Sequence, residues 1–210
     1  MNVIHPSFPA TARGVFVAEE TADLDTFCAP DCAALIWRRN LPQDLRQWVA
    51  AVPETRLPRG RIMLRPEAVA QALEQLCEIY DTPVSVQRDA LIAEMVHVCR
   101  AFTQLHQARF LRLRLEVVTT NACRKFHIDA LPSRLVCTYR GTGTQYGNAE
   151  PGCDPARVFT VATGDPILLR GKLWRETPFA GLLHRSPPIE GTGETRLVLV
   201  IDPVDDPEEM

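Results

Sequence analysis

The chain has 210 residues, is 46% hydrophobic and carries a formal net charge of −3. That length accommodates one domain with a sizeable core, and the acid-leaning balance argues against general nucleic-acid affinity, which wants a basic surface. No apolar run is long enough to span a bilayer, and the opening MNVIHPSFPATARG lacks the basic-then-apolar pattern of an export signal. Seven irregularly spaced cysteines then predict reduced thiols in the cytoplasm rather than a disulfide framework.

Taken in order, residues 12–17 and 33–38 read as short strands. Between them Cys28 and Cys32 lack a second ligand pair, so free loop thiols are expected. Asn40 reads as the cap of a helix with Pro42 in its first turn, ending near Val52 and Pro53. Residues 53–66 are a connector with a short strand at Ile62-Met63-Leu64. Pro66 to Tyr80 places Val69, Leu73, Leu76 and Tyr80 at helical spacing. A second helix, begun by Thr82-Pro83, carries the stripe Leu91, Met95, Val98, Phe102 and Leu105. His97 and His106 lie off the centre of that stripe and read as surface or edge residues.

From Phe110 the period changes. FLRLRLEVV sets Leu111, Leu113, Leu115 and Val117 on one face and Arg112, Arg114 and Glu116 on the other, as a half-buried strand does. Residues 133–139, 157–162, 166–170, 180–184 and 195–201 are further strand candidates; 147–156 is a loop and 203–210 an acidic tail. Many short strands after a helical lead-in predict a mainly β fold with α, a sandwich or jelly roll. The expected division is 1–110, strands and helices packed on a barrel, and 111–202, a metal-binding core, within one compact unit.

His127 and Asp129 are the chemical centre. If 126–130 is extended, their side chains leave the same face and can share a divalent metal. His184 follows in GLLHRSPP and Arg196 in TRLVLVID. Two histidines and a carboxylate form a triad that leaves coordination positions open on iron(II). The competing reading is a hydrogen-bonded polar cluster without metal. Arg196 shares a strand face with Val198 and Val200, points inward, and needs an anion: a bound carboxylate or an internal Asp or Glu. Tyr139 reads either as a second hydrogen-bond donor to that carboxylate or as a core aromatic. Cys123 and Cys137 are alternative thiol ligands that would favour zinc, though core thiols are the simpler assignment. In RGTGT, two glycines let backbone approach a ligand, with no Lys-Ser/Thr ending of a phosphate loop.

The order His-x-Asp, distal His, then Arg entering the last strand resembles the iron(II)/2-oxoglutarate dioxygenases, and TGDPILLRGKLW is similar to their Gly-Asp-apolar segment. CRKFHIDALPSRLVCTYRGTGTQYG with LLHRSPP and RLVLVID also resembles a bacterial family of unassigned function, some members of which are encoded near zinc-homeostasis genes. The resemblance covers roughly Leu111 to Asp202. It implies a double-stranded β-helix barrel with helices outside. It also implies Fe(II) on His127, Asp129 and His184, and 2-oxoglutarate on Arg196 with Tyr139. The substrate, small molecule or peptide, is not implied. Val198 stands where many of those enzymes have Ser. The other class of function is a non-enzymatic zinc-binding or metal-homeostasis protein using the same pocket.

Overall fold

A computed structural model describes residues 11–175 and 181–206. Residue 180 of one expected strand, the start of the opening segment and the end of the acidic tail lie outside the described residues.

The alternation of FLRLRLEVV builds the centre of the fold. β4 (Phe110–Val118) buries Leu111, Leu113 and Leu115 on one face. It pairs antiparallel with β10 (Arg196–Val204), itself paired with β5 (Ser133–Arg140). With β1 (Val15–Ala18), β2 (Ala34–Trp37), β3 (Gly60–Leu64) and β8 (Pro166–Arg170) these form a seven-stranded sheet of order β1-β2-β8-β5-β10-β4-β3. The pair β1–β2 is parallel; the other neighbours are antiparallel. The first half of the chain therefore contributes three strands to this sheet as well as the helices that cover it.

The leucine face packs on α1 (Gln43–Ala51), α2 (Val69–Ile79) and α3 (Val86–His106) through one apolar cluster that includes Leu73, Met95, Phe102, Leu113, Leu135 and Leu199. Fully burying each such side chain is worth about 1.5–3 kcal/mol, so this layer dominates stability. No helix is long and apolar enough to cross a membrane among the described residues.

Both helix starts differ from the sequence expectation. Pro42 is the N-cap of α1, leaving Asn40 outside it. α3 begins after Ser85, whose Oγ accepts a hydrogen bond from the Arg88 amide at 3.1 Å. Thr82 instead donates its hydroxyl to the Arg56 carbonyl at 2.7 Å and ties down the connector. Ser85→Ala should cost about 1 kcal/mol, the usual worth of an N-cap. Chemical denaturation measures it, and an unchanged midpoint would show the cap to be idle. His106 is also more enclosed than expected: it packs on Phe27, Phe102 and Trp174 and meets Ser133 Oγ at 3.1 Å.

The opposite face of the large sheet is covered by a small one: β6 (Gln145–Asn148), β7 (Phe159–Thr160) and β9 (Leu182–Arg185), in the order β7-β6-β9. β6 falls between two stretches read as loops and was not expected. Tyr146 and Leu182 from the small sheet meet Val136, Val198 and Val200 from the large one in a second apolar cluster. From β4 onward the chain passes back and forth between the layers: β5, β8 and β10 lie in the large sheet, and β6, β7 and β9 in the small one.

Candidate metal centre

The segment between β4 and β5 is not a strand, as the sequence suggested, but it makes one bridge to the small sheet. The His127 amide donates to the His184 carbonyl at 3.0 Å, and the His184 amide returns the bond at 3.0 Å. Farther along, the Asp129 carbonyl accepts from the Lys172 amide at 2.9 Å. Gly171 permits that approach, because a Cβ there would sit 1.9 Å from the Leu131 carbonyl oxygen. Backbone pairing thus fixes His127, His184 and Asp129 before their side chains are considered.

The side chains converge. His184 Nε2 lies 3.2 Å from Asp129 Oδ2, His127 Nε2 lies 3.7 Å from Asp129 Oδ1, and one ligand atom from each falls within 4.8 Å of the others. Asp129 and His184 are buried, while His127 is partly open. His127 Nδ1 lies 2.9 Å from the Lys125 carbonyl oxygen. A carbonyl only accepts, so the proton sits on Nδ1 and the Nε2 lone pair faces the cluster. Asp129 Oδ2 is buried without a well-formed hydrogen bond. Unshared pairs from imidazole and carboxylate meeting in one buried spot repel unless a proton or a metal cation lies among them. The donor set fits a divalent metal with open positions.

The electrostatics agree. Burial would raise the Asp129 carboxyl, but contacts with the two histidines and the Arg134 charge outweigh it and hold the group well below the usual carboxylate range. The Asp129 contact raises His127 against burial, whereas burial lowers His184. Asp129 is therefore a carboxylate at neutral pH. Behind it stands a residue not anticipated from sequence. Arg134 bonds Asp129 Oδ1 through Nη1 and grips Asp202 with Nε at 2.7 Å and Nη2 at 2.9 Å. Such an outer partner orients a metal-binding carboxylate.

Arg196 enters the same cavity, of about 100 Å³, which is also lined by His127, His184, Arg134 and Arg114. One water needs roughly 10–15 Å³ on this measure, so the space admits a compact ligand. Arg196 is 2% exposed. Its Nε donates to the Thr142 carbonyl at 2.7 Å and Nη2 to Thr138 Oγ1 at 3.3 Å. Among the described residues no carboxylate lies within 4.0 Å of it, and burial lowers its pKa to about 10. The two glycines of RGTGT serve packing rather than a ligand: Gly143 abuts the Val161 carbonyl and Gly141 abuts this arginine. Gly141, at φ +79°, lets the loop press on β10, where a Cβ would meet Arg196 Cγ at 2.9 Å. Glu194 fastens the turn by accepting from the Thr142 amide at 2.6 Å and hydroxyl at 3.0 Å.

Two expectations are corrected. Tyr139 and Cys137 project from the other face of β5 into the helix-side core, whereas Arg134, Val136 and Thr138 face the cavity. Tyr139 therefore cannot touch a ligand held by Arg196. Cys123 lines the cavity but stays outside the three-residue cluster, and no thiol joins it. Cys28 and Cys32 are not joined in a disulfide; Cys28 is exposed and Cys32 buried.

A family model, described as a protein of unknown function, DUF1826, matches residues 18–202. The chain belongs to the DUF1826 family. No curated protein matches this DUF1826 chain significantly. Among solved structures it is similar to a dioxygenase for auxin oxidation from Arabidopsis thaliana in a binary complex with 2-oxoglutarate, at 9% identity and TM-score 0.50, over 94% of each chain. A rice dioxygenase for auxin oxidation gives 13% identity and TM-score 0.49, over 93% of this chain and 84% of that one. A Pseudomonas putida prolyl-4-hydroxylase gives 14% and 0.45, over 90% and 98%. At such identities the likeness with the Arabidopsis protein shows the fold alone: mainly β, with helices.

Proposed function

We propose that this DUF1826 chain is an iron(II)- and 2-oxoglutarate-dependent oxygenase built on a double-stranded β-helix, with residues 111–202 as its metal-binding core. The observation that carries the reading is the buried guanidinium of Arg196, without a carboxylate partner, in the same small cavity as a His127–Asp129–His184 cluster. A buried cation needs an anion, and an open-sided metal needs a further ligand. A short dicarboxylate with a 2-oxo acid end satisfies both. The alternation of strands between two facing sheets, and the auxin dioxygenase holding 2-oxoglutarate, support the same class.

In this reading His127, Asp129 and His184 hold the metal. Bound iron(II) would supply oxygen activation coupled to oxidative decarboxylation of 2-oxoglutarate, giving succinate and carbon dioxide. The chain's own groups do the positioning. Lys125 fixes the His127 tautomer, Arg134 orients Asp129, and Thr142 and Thr138 aim Arg196. Val136, Val198 and Val200 wall the cavity with apolar surface that limits water. The zinc alternative drew its weight from thiol ligands, and neither Cys123 nor Cys137 joins the cluster.

The test is titration of the anaerobic iron(II) protein with 2-oxoglutarate. A saturable visible charge-transfer band is expected. Its absence at saturating 2-oxoglutarate, in protein shown to hold one iron, would overturn the assignment.

A further inference from the structure

The inner face of β4 and the end of β10 carry more positive charge than they neutralise. Arg112, Arg114 and Arg134 gather around Asp202, with Asp129 as the only other carboxylate in the group. Asp202 already gives both oxygens to Arg134. Arg114 is left with a long contact, Nη2 to Asp202 Oδ2 at 3.6 Å, and Arg112 with one at 4.0 Å. The Nε of Arg114 is buried with no hydrogen-bond partner, and its side chain lines the metal cavity. Glu116, next on the same strand face, also lines the cavity, but its carboxylate is bonded to Arg61 at 2.7 Å and makes no ion pair with Arg114. Burial and the like charges of Arg134 and Arg61 act against the Arg114 cation, beyond what Asp202 and Glu116 restore. The surplus exists before any metal is counted, and a divalent ion beside Asp129 enlarges it.

An anion bound at Arg196 does not absorb this surplus. It opens β10 opposite Val118, whereas Arg114 lies opposite Val200. Two residues four apart along one strand stand about 13 Å from one another. A short dicarboxylate anchored at Arg196 is spent on that guanidinium and on the metal.

We infer that Arg114, backed by Arg112, is a second oxyanion site in the cavity and that the substrate carries a carboxylate or phosphate group which docks there. This rests on the proposed function of the same cavity, in that Arg196 is taken to hold 2-oxoglutarate. Guanidinium is suited to either group because its fork donates to two oxygens at once. The site would bring an anionic molecule up to the metal side of the cavity by one charged end, leaving the rest of it to face the cluster.

The experiment uses the full chain loaded with zinc(II), which is redox-silent, and saturated with 2-oxoglutarate. Calorimetry then follows inorganic phosphate and acetate in separate titrations, with acetamide as the neutral control. One of the two anions is expected to bind saturably at one per chain, and acetamide not at all. Phosphate winning identifies a phosphoryl-bearing substrate, acetate a carboxylate. Arg114→Gln should weaken the anion by about tenfold or more while zinc and 2-oxoglutarate affinities stay parental, and Arg114→Lys should restore part of it, since charge remains without the fork. If neither anion binds, or if Arg114→Gln binds it like the parent, as an anion sitting on zinc would, the inference is wrong. Failure of the oxygenase reading looks different: 2-oxoglutarate itself does not bind. The same anion titrations in Arg196→Leu protein still report on Arg114, because Arg114 is intact in that variant and lies about 13 Å along the strand from the substituted position.

Discussion

Asp129→Ala should abolish the stoichiometric binding of iron(II) or cobalt(II) expected of the parent. Asp129 is the hinge of the cluster, within 3.2 Å of His184 Nε2 and 3.7 Å of His127 Nε2, and it supplies the only negative charge among the three donors. Losing an outer partner of a metal ligand already costs roughly 10–100-fold in affinity. Losing the charged ligand itself should exceed that range. The variant is expected to fold, because the group Asp129 leaves behind is not stranded: Arg134 keeps both of its bonds to Asp202. Anaerobic metal titration gives the affinity and far-ultraviolet circular dichroism the fold. A folded Asp129→Ala protein that takes up one metal as tightly as the parent would remove the cluster from consideration.

If Arg196 holds 2-oxoglutarate as proposed, Arg196→Leu should lower its affinity by at least an order of magnitude and leave metal affinity in place. Truncating one partner of a buried, hydrogen-bonded charge pair costs about 2–5 kcal/mol, much of it from the charge left unpaired. Each ~1.4 kcal/mol is a factor of ten. The guanidinium makes no contact with the metal-binding atoms; its hydrogen bonds go to the Thr142 carbonyl and Thr138 hydroxyl. Arg196→Lys should recover part of the affinity, since the charge survives while the fork does not. The charge-transfer titration measures all three proteins. Equal affinity in parent and Arg196→Leu would exclude this arginine from the ligand site.

The fold was most readable where one face is apolar and the other is not. Leu111, Leu113 and Leu115 alternate with Arg112, Arg114 and Glu116, so both the strand and its buried face follow from the letters. Arg196, Val198 and Val200 give the same information for β10, and they do share the cavity face. β5 defeats this logic. It is central and buried on both sides, so Leu135, Val136, Cys137 and Tyr139 form a nearly continuous apolar run that carries no sign of which residues face inward. Parity groups Tyr139 with Leu135 and Cys137, as the structure does, but does not say which face is the core, so both readings of Tyr139 stay open in the sequence. Arg134, the one charged residue inside the start of that strand, was the available anchor for its parity. β6 was missed because Gln145-Tyr146-Gly147-Asn148 is short and rich in turn formers. It is a strand because Tyr146 pairs with His184 and Phe159 from distant segments. The helix caps were misassigned because Asn40 and Thr82 are good local candidates, and tertiary contacts decided between them and their neighbours.

The bridge between His127 and His184 also bears on how the protein reaches and leaves its native state. Its two hydrogen bonds join segments separated by all of β5 to β8, and Asp129 is locked by a turn that follows β8. Closing so long a loop is costly in entropy and comes late. The chain gathers its three donors only once both sheets are in register, so an ion has nothing to organise earlier. A cation that binds the native state alone adds stability by mass action, and an interaction absent from the folding transition state appears in the unfolding rate. Any metal here acts as a latch that slows opening, and it leaves the speed of folding to the apolar layers.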